Sequence, residues 1–197
     1  NPRYRATELE HLMRLSGARV LVTESRFGKA DVVDILRTLD FAVLPALEMV
    51  AFLDGVPEGV PAAVRCVGLA LGQMIPEGLP RRDESASEAP LICFSTSGTT
   101  SAPKLVVHTQ ASLARHAACC AASFGFSEPG CAFLAAMPLC GIFGLSAFMA
   151  ALCGRAPVAL LAAFDAVEAA AAIRRHSITH LVGSDEMFRR LLDTDPA

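Results

Sequence analysis

Residues 91–109, LICFSTSGTTSAPKLVVHT, determine how the rest of the chain is interpreted. An apolar run leads into seven small residues, 95–101, six of which carry hydroxyls, and a second apolar run follows Lys104. A polar loop directly after an apolar strand is where open α/β sheets bind ligands. Gly98 allows a close backbone approach, and hydroxyl and N–H groups can then face one ligand beside the Lys104 ammonium. The pattern favours a polyphosphate site.

Lysine usage strengthens this interpretation. The chain has only two lysines, Lys29 and Lys104, beside fifteen arginines. A compact, mobile ammonium at the end of the loop suits a phosphate. A solvated lysine after an ordinary Ser/Thr turn fits the same residues, so the residues alone leave both interpretations open. The G-x-x-x-x-G-K-[ST] spacing is absent, because the loop has one glycine and Leu105 follows the lysine.

On both sides of this stretch, strand-like and helix-like segments alternate. Thr7 and Glu10 predict a capping box at a first helix, and the later helices are expected at 31–39, 110–124, 142–153, 164–176 and from about 185. Repeated strand–helix units with continuously apolar strands predict a multilayer α/β fold of mostly parallel sheets, covered by helices on both faces. Residues 76–90, with four acids and three prolines, predict a connection between α/β segments 1–75 and 91–197.

Composition excludes several classes of protein. Hydrophobic residues make up 53% of the 197 residues, charged residues 19%, and the net charge is −3. Intrinsic disorder needs lower hydrophobicity and more charge, and a nucleic-acid binder needs a basic stripe. Residues 131–154 carry no charge over 24 positions, but Pro138, Gly141 and Gly144 interrupt them, so a buried strand and helix are expected rather than a membrane span.

Cysteines and histidines predict neither a disulfide framework nor a metal site. The seven cysteines show no C-x-x-C spacing, which favours reduced thiols in a cytoplasmic protein. His176 and His180 lie four apart, but the intervening SIT passes from a predicted helix into a predicted strand, so their side chains are not expected to share a face.

Several stretches resemble one family. STSGTTSAPK is similar to the phosphate loop of the adenylate-forming superfamily, which includes acyl- and aryl-CoA synthetases, adenylation domains of peptide synthetases and luciferases. Three more stretches resemble that superfamily in the right order: NPRYRATELEHLMRLSGARVLVT at 1–23, PLCGIFGL at 138–145, and FDAVEAAAAIRRHSITHLVGSDEMFRRLL at 164–192. The resemblance covers nearly all of 1–197 and implies an internal fragment of the large N-terminal domain.

The resemblance implies a two-step ligase reaction. A carboxylate attacks the α-phosphate of Mg-ATP to give an acyl-adenylate and pyrophosphate, and a thiol, usually that of CoA, then takes the acyl group. Lys104 is the implied catalytic residue, and the implied phosphate-loop positions are Thr96, Ser97, Gly98, Thr99, Thr100, Ser101 and Lys104. Ser101 and Leu105 stand where the superfamily often has glycine, and Leu105 removes some backbone freedom there.

The implied substrate contacts lie in PLCGIFGL. The superfamily often has histidine or an aromatic residue where this chain has Gly141, so a wider pocket corner is expected there. The candidate substrate residues are Cys140, Gly141, Phe143 and Gly144, and none is charged. This favours a hydrophobic, fatty or aromatic, carboxylic acid. A plain turn at Gly141 remains an equally good interpretation.

The implied cofactors are ATP, Mg²⁺ and CoA, and the implied partner is a small-molecule carboxylate. Neither a nucleic-acid partner nor a membrane span is expected. The sequence leaves open whether the protein forms an oligomer. The superfamily's adenine motifs, metal-binding glutamate and C-terminal lysine would follow Ala197, so the isolated polypeptide is expected to be inactive. An amino-acid adenylation domain that loads a carrier protein, and a non-catalytic relative that acts as a binding module, are the alternatives.

Overall fold

The computed structural model describes residues 4–28, 30–69, 86–96 and 103–194. Helices and strands alternate through these ranges, as the sequence predicts. The helices are α1 Ala6–Ser16, α2 Val32–Arg37, α3 Gln110–Ser123, α4 Ile142–Cys153, α5 Ala166–Arg175 and α6 Asp185–Thr194, with a 3₁₀ turn at Phe41–Val43. The strands are β1 Val20–Thr23, β2 Arg26–Phe27, β3 Ala30–Asp31, β4 Met49–Phe52, β5 Arg65–Gly68, β6 Pro90–Ser95, β7 Leu105–Thr109, β8 Phe133–Ala135, β9 Val158–Leu160 and β10 His180–Leu181.

The chain divides into two compact units. Unit 1 is formed by Asn1–Glu84 with Ser95–Val106, and unit 2 by Ser85–Phe94 with Val107–Ala197. Residues 76–85 of the predicted connection at 76–90 lie outside the described residues.

Unit 1 is built on a parallel sheet in the order β1-β4-β5. Its central strand, MVAF, is apolar throughout, and Val50, Ala51 and Phe52 are buried. Met13 of α1 and Leu36 of α2 join Val50 and Phe52 in one core cluster. Helices therefore bury their apolar stripes against the sheet, which is the expected reason for a continuously apolar strand.

Unit 2 has helices on both faces of a parallel sheet in the order β10-β8-β9. Side chains of the central strand β8 alternate: Phe133 and Ala135 pack with the α3 and α4 residues, and Leu134 packs with Ala169 of α5. Alanines on the facing sides of α3 and α4 let the two helices approach closely: Ala121, Ala147, Ala150 and Ala151. The predicted α/β class with parallel sheets and covering helices is confirmed.

The uncharged stretch 131–154 folds as a strand, a loop and a helix. β8 occupies Phe133–Ala135, and α4 runs from Ile142 to Cys153, the bounds that the sequence predicts for this helix. Among the described residues, no helix is long and apolar enough to cross a membrane.

The predicted capping box of α1 is wrong. The helix already begins at Ala6, so Thr7 and Glu10 lie inside it. Glu8 acts in their place, because its carboxylate accepts a hydrogen bond from the backbone N–H of Arg5 at 3.0 Å. This bond satisfies one of the donors that a helix start leaves unpaired, and it fixes the point where the chain enters α1.

Candidate functional site

Backbone hydrogen bonds bring the two ends of the Ser/Thr-rich loop together. β6 ends at Ser95 and β7 begins at Leu105, and these two strands pair with each other. The N–H of Thr96 donates to the Lys104 carbonyl at 2.9 Å, and the N–H of Lys104 donates to Oγ1 of Thr96 at 3.1 Å. The first and last predicted phosphate-loop residues therefore lie side by side. Those between them, Ser97, Gly98, Thr99, Thr100 and Ser101, lie outside the described residues.

The Lys104 side chain is exposed. Its ammonium forms no ion pair or hydrogen bond with any residue that the structure describes. A cation whose charge is not neutralised by a carboxylate attracts anions, and an ammonium binds phosphate oxygens as a compact point charge. The position and state of Lys104 suit an anionic ligand at the loop.

Tyr4 and His11 contact the two ends of the loop, and all of these residues belong to unit 1. The Tyr4 hydroxyl is hydrogen-bonded to the Ser95 hydroxyl at the end of β6. On the other side, His11 Nε2 lies 2.8 Å from the carbonyl oxygen of Pro103 and donates to it, because a carbonyl only accepts. The sequence assigns no role to Tyr4 or His11, since each lies about ninety positions from its partner and no local pattern marks the pairing.

The two glycines predicted to lie beside a substrate occupy different environments. Gly141 precedes α4 as its N-cap, and a Cβ placed there would meet nothing closer than the Pro138 carbonyl oxygen at 4.0 Å. At Gly144, inside the first turn of α4, a Cβ would collide with that same carbonyl. Gly144 is therefore needed for the close approach of the helix to Pro138, whereas Gly141 faces open space.

A pocket of about 290 Å³ lies beside the start of α4, within unit 2. Helices α3 and α4 supply most of its walls, and the lining residues are His116, Cys120, Phe124, Ile142, Phe143, Ser146, Ala147 and Val182. The lining contains no Asp, Glu, Lys or Arg. Of the predicted substrate residues, Phe143 lines this pocket, while Cys140, Gly141 and Gly144 do not.

Two histidines of unit 2, His180 and His116, contact neighbouring polar or sulfur atoms. His180 donates from Nε2 to the Phe124 carbonyl at 2.8 Å, and its Nδ1 lies 2.7 Å from the Thr179 hydroxyl oxygen. His116 Nε2 lies 3.5 Å from the Cys120 sulfur, one helical turn away on α3. Within the described ranges, no group of three or more His, Cys, Asp or Glu side chains is arranged to hold a metal ion.

Comparison with known proteins decides the family. A family model described as AMP-binding enzyme matches residues 1–197. The chain belongs to this family. The resemblance of its phosphate loop and flanking stretches to the adenylate-forming superfamily is thereby confirmed. A comparison with curated proteins finds no match.

Solved structures of adenylate-forming enzymes share the fold of this chain. A protein from Rhodopseudomonas palustris described as a long-chain-fatty-acid CoA ligase matches with a TM-score of 0.74 and 18% identity, over 98% of this chain and 45% of that one. The O-succinylbenzoate CoA synthetase of Bacillus subtilis, in complex with AMP, matches with a TM-score of 0.70 and 22% identity, over 99% and 44%. The amide bond synthetase McbA of Marinactinospora thermotolerans matches with a TM-score of 0.70 and 25% identity, over 98% and 35%. The chain thus spans less than half the length of these enzymes.

Proposed function

We propose that the protein activates a hydrophobic, fatty or aromatic, carboxylic acid with ATP and transfers the acyl group to CoA. In the first step a carboxylate oxygen attacks the α-phosphorus, the bond from that phosphorus to the bridging oxygen breaks, and pyrophosphate leaves. In the second step the CoA thiolate attacks the acyl carbonyl, and AMP leaves. Family membership supports the adenylation step, and two neighbours named as CoA ligase or synthetase support the thioester step.

The observation that carries the choice of acid is the pocket beside α4. Its walls are mainly aliphatic and aromatic, and they hold no carboxylate and no fixed cation. A hydrophobic acid gains from burying apolar surface there, by about 25 cal/mol per Å². An amino acid would bring an ammonium that finds no counter-charge in this lining, at a cost in desolvation. The amino-acid alternative is therefore not favoured.

Lys104 and the Thr96 hydroxyl are proposed to bind the phosphates at the loop. Adenylation needs the nucleotide held in line and the charge of the departing pyrophosphate neutralised, and it needs no covalent bond to the protein. The Lys104 ammonium is exposed and has no carboxylate partner among the described residues, and the backbone N–H of Lys104 donates to the Thr96 hydroxyl, so both residues stand at the same end of the loop. This arrangement supports both roles. We also assign residues 97–101 to this loop on the strength of the sequence motif.

Magnesium would arrive with the nucleotide. A neighbouring structure of the Bacillus subtilis synthetase holds ATP and a magnesium ion. Among the residues that the structure describes, no three His, Cys, Asp or Glu side chains are grouped so that they could hold a metal ion. No residue of the chain is proposed as a ligand, and no step is assigned to the ion.

The proposal is tested by the acid-dependent exchange of labelled pyrophosphate into ATP. The full-length protein is assayed with octanoate and benzoate, and with alanine and aspartate for comparison. We expect exchange with the hydrophobic acids. Exchange with the amino acids alone would overturn the assignment of the acid. Release of AMP is then followed with CoA or with a simple amine, since one neighbour is an amide bond synthetase, and faster release with the amine would overturn the assignment of CoA.

The role of Lys104 is tested in the same assay. We expect Lys104→Ala to slow adenylation about a hundredfold, the usual effect of removing one group that stabilises transition-state charge. Lys104→Arg keeps the charge and should retain more activity. Lys29→Ala, which removes the chain's other lysine, serves as the matched control. An unchanged adenylation rate in Lys104→Ala would show that Lys104 is a solvated surface lysine that does not bind the phosphates.

A further inference from the structure

The N-terminal segment is tied to both ends of the loop that carries Lys104. Tyr4 bonds through its hydroxyl to Ser95, the last residue of β6, and His11 bonds to the carbonyl of Pro103, the residue before Lys104. Both bonds are partly buried, so water competes with them less than it would at the surface. The contacts join residues far apart in sequence and lie wholly within unit 1.

The geometry of α1 fixes where the Tyr4 and His11 side chains lie. Tyr4 lies two residues before the first residue of the helix, and the bond from the Arg5 N–H to the Glu8 carboxylate sets the start of the helix. His11 follows on the same helix, whose residue Met13 is buried in the core of unit 1. A helix anchored in the core is a rigid support, so the Tyr4 hydroxyl and the His11 ring are held at a set spacing.

The two bonds act on a loop whose ends already touch. Thr96 and Lys104 exchange hydrogen bonds with each other, and Tyr4 and His11 hold the residues next to them. With both ends held, the Lys104 ammonium and the Thr96 hydroxyl need less ordering when an anion binds. A group that is already in place costs less to use in binding and in the transition state.

We propose that Tyr4 and His11 are positioning residues, which hold the two ends of the phosphate loop so that Lys104 and Thr96 are aligned before ATP binds. Neither residue touches a reacting atom in this proposal. It rests on the proposed function for its kinetic consequences, and on the two hydrogen bonds for its structural ones.

The first test is kinetic and uses the full-length enzyme. Tyr4→Phe removes only the hydroxyl, and His11→Leu removes the donor but keeps an apolar side chain of similar size. We expect each to lower kcat/KM for ATP about three- to tenfold, the worth of one hydrogen bond. The KM for the carboxylic acid should stay unchanged, because the acid does not bind to the loop.

A conservative variant at His11 and a double variant at Tyr4 and Ser95 distinguish a positioning role from a general loss of structure. His11→Gln keeps an N–H donor and should recover most of the lost kcat/KM for ATP. Tyr4→Phe combined with Ser95→Ala should be no slower than Tyr4→Phe alone, since both changes remove the same bond. His176→Leu is the control, because the structure describes no hydrogen bond between His176 and Ser95 or Pro103.

A second readout does not depend on turnover. Amide hydrogen exchange at Thr96 and Lys104 should quicken in Tyr4→Phe and His11→Leu, and slow again in His11→Gln. If the wild-type protein activates no acid, the proposed function is wrong. Amide hydrogen exchange still shows in that case whether the Tyr4 and His11 hydrogen bonds hold the ends of the loop. Unchanged exchange at both amides, or a matching rise of the KM for ATP and for the acid without rescue by His11→Gln, would overturn the positioning role.

Discussion

Phe143 shows at the scale of one residue how the loop before α4 shapes a pocket. Gly144 packs so closely on the Pro138 carbonyl that it admits no side chain, which draws the first turn of α4 against the loop. The Phe143 ring remains 55% exposed and lines the pocket beside Ile142. An aromatic ring in this setting is available for apolar contact without being needed to fill the core.

Phe143→Asp is expected to weaken the binding of hydrophobic acids. It replaces an apolar wall by a carboxylate that also repels the substrate's own carboxylate. The KM for octanoate and benzoate should rise at least tenfold, since burying a large apolar side chain is worth about 1.5–3 kcal/mol. The KM for ATP should not change.

Leu152→Asp is the matched control for this change. Leu152 lies on the same helix, is 49% exposed, and is not among the residues that line the pocket. An equal rise of the acid KM in both variants, or no rise in either, would show that Phe143 does not contact the acid.

At this scale the sequence predicts the loop better than its supports. Thr96 and Lys104 were expected at one site because a short motif contains both, and the structure brings them within hydrogen-bond distance. Tyr4 and His11 were missed because their partners lie about ninety residues away. Such pairings are decided by how α1 packs in unit 1, and a linear pattern carries no signal of that packing.

At the scale of an element, three helices end in the same way. α3, α4 and α5 each close with a Schellman motif, in which the backbone N–H of the third residue past the helix donates to a carbonyl of the last turn: Phe126 to Ala121, Ala156 to Ala151, and Ile178 to Ile173. The residue before each donor takes a left-handed conformation, with φ of 68° at Gly125, 61° at Arg155 and 49° at Ser177. α3 places a glycine at this position, as α1 does with Gly17 before the bond from Ala18 to Met13, whereas α4 and α5 do not.

Glycine substitutions at these two helix ends are therefore expected to stabilise the protein. Arg155→Gly and Ser177→Gly should each raise the free energy of unfolding, since the left-handed region costs a residue with a Cβ about 1 kcal/mol. Gly125→Ala should lower it by a similar amount. Urea unfolding followed by circular dichroism measures all three. The account of these helix ends is wrong if the glycine variants are less stable than the parent.

The elements that the sequence predicted well are flanked by residues that commonly begin or end helices and strands. α4 was placed at its observed bounds because Gly141 and Gly154 flank an uncharged, mainly apolar run. α2 was expected over residues 31–39 but ends at Arg37, since periodicity does not mark where the last turn loosens. The capping box failed for a related reason: Glu8 and Glu10 both lie near the start of the helix, the pattern selects Glu10 with Thr7, and only the structure shows that Glu8 reaches the Arg5 N–H.

At the scale of the whole molecule, apolar residues form the cores of two three-stranded sheets, one in each unit. Each unit has its own central strand that is buried throughout or nearly so, β4 in unit 1 and β8 in unit 2. Large apolar side chains are nevertheless exposed in both, among them Val22 and Phe27 in unit 1 and Phe124 and Leu160 in unit 2. The sequence predicted the class of these layers, because apolar strands alternate with amphipathic helices. The predicted division into segments 1–75 and 91–197 stays a prediction.

Carboxylates in unit 1 predict how stability depends on pH. The backbone N–H of Asp34 lowers the pKa of Asp31, the Ser25 side chain lowers the pKa of Asp54, and the Arg19 side chain lowers the pKa of Glu48. A carboxyl whose pKa is lower in the folded state stabilises the fold above its unfolded value and loses that contribution as the pH falls through the folded pKa. Stability should therefore be level near neutral pH and decline below about pH 4.

This decline can be followed in unit 1 alone. The chain has one tyrosine, Tyr4, and no tryptophan, so intrinsic fluorescence on urea unfolding reports on that unit. The urea midpoint should be lower at pH 3 than at pH 7. The double variant Asp31→Asn with Asp54→Asn should have a lower urea midpoint at pH 7. Its midpoint should also fall less between pH 7 and pH 3, because the two carboxyl groups with lowered pKa values are absent. A midpoint equal at pH 3 and pH 7 in the parent, or an acid loss undiminished in the double variant, would mean that these hydrogen bonds do not set the acid stability of unit 1.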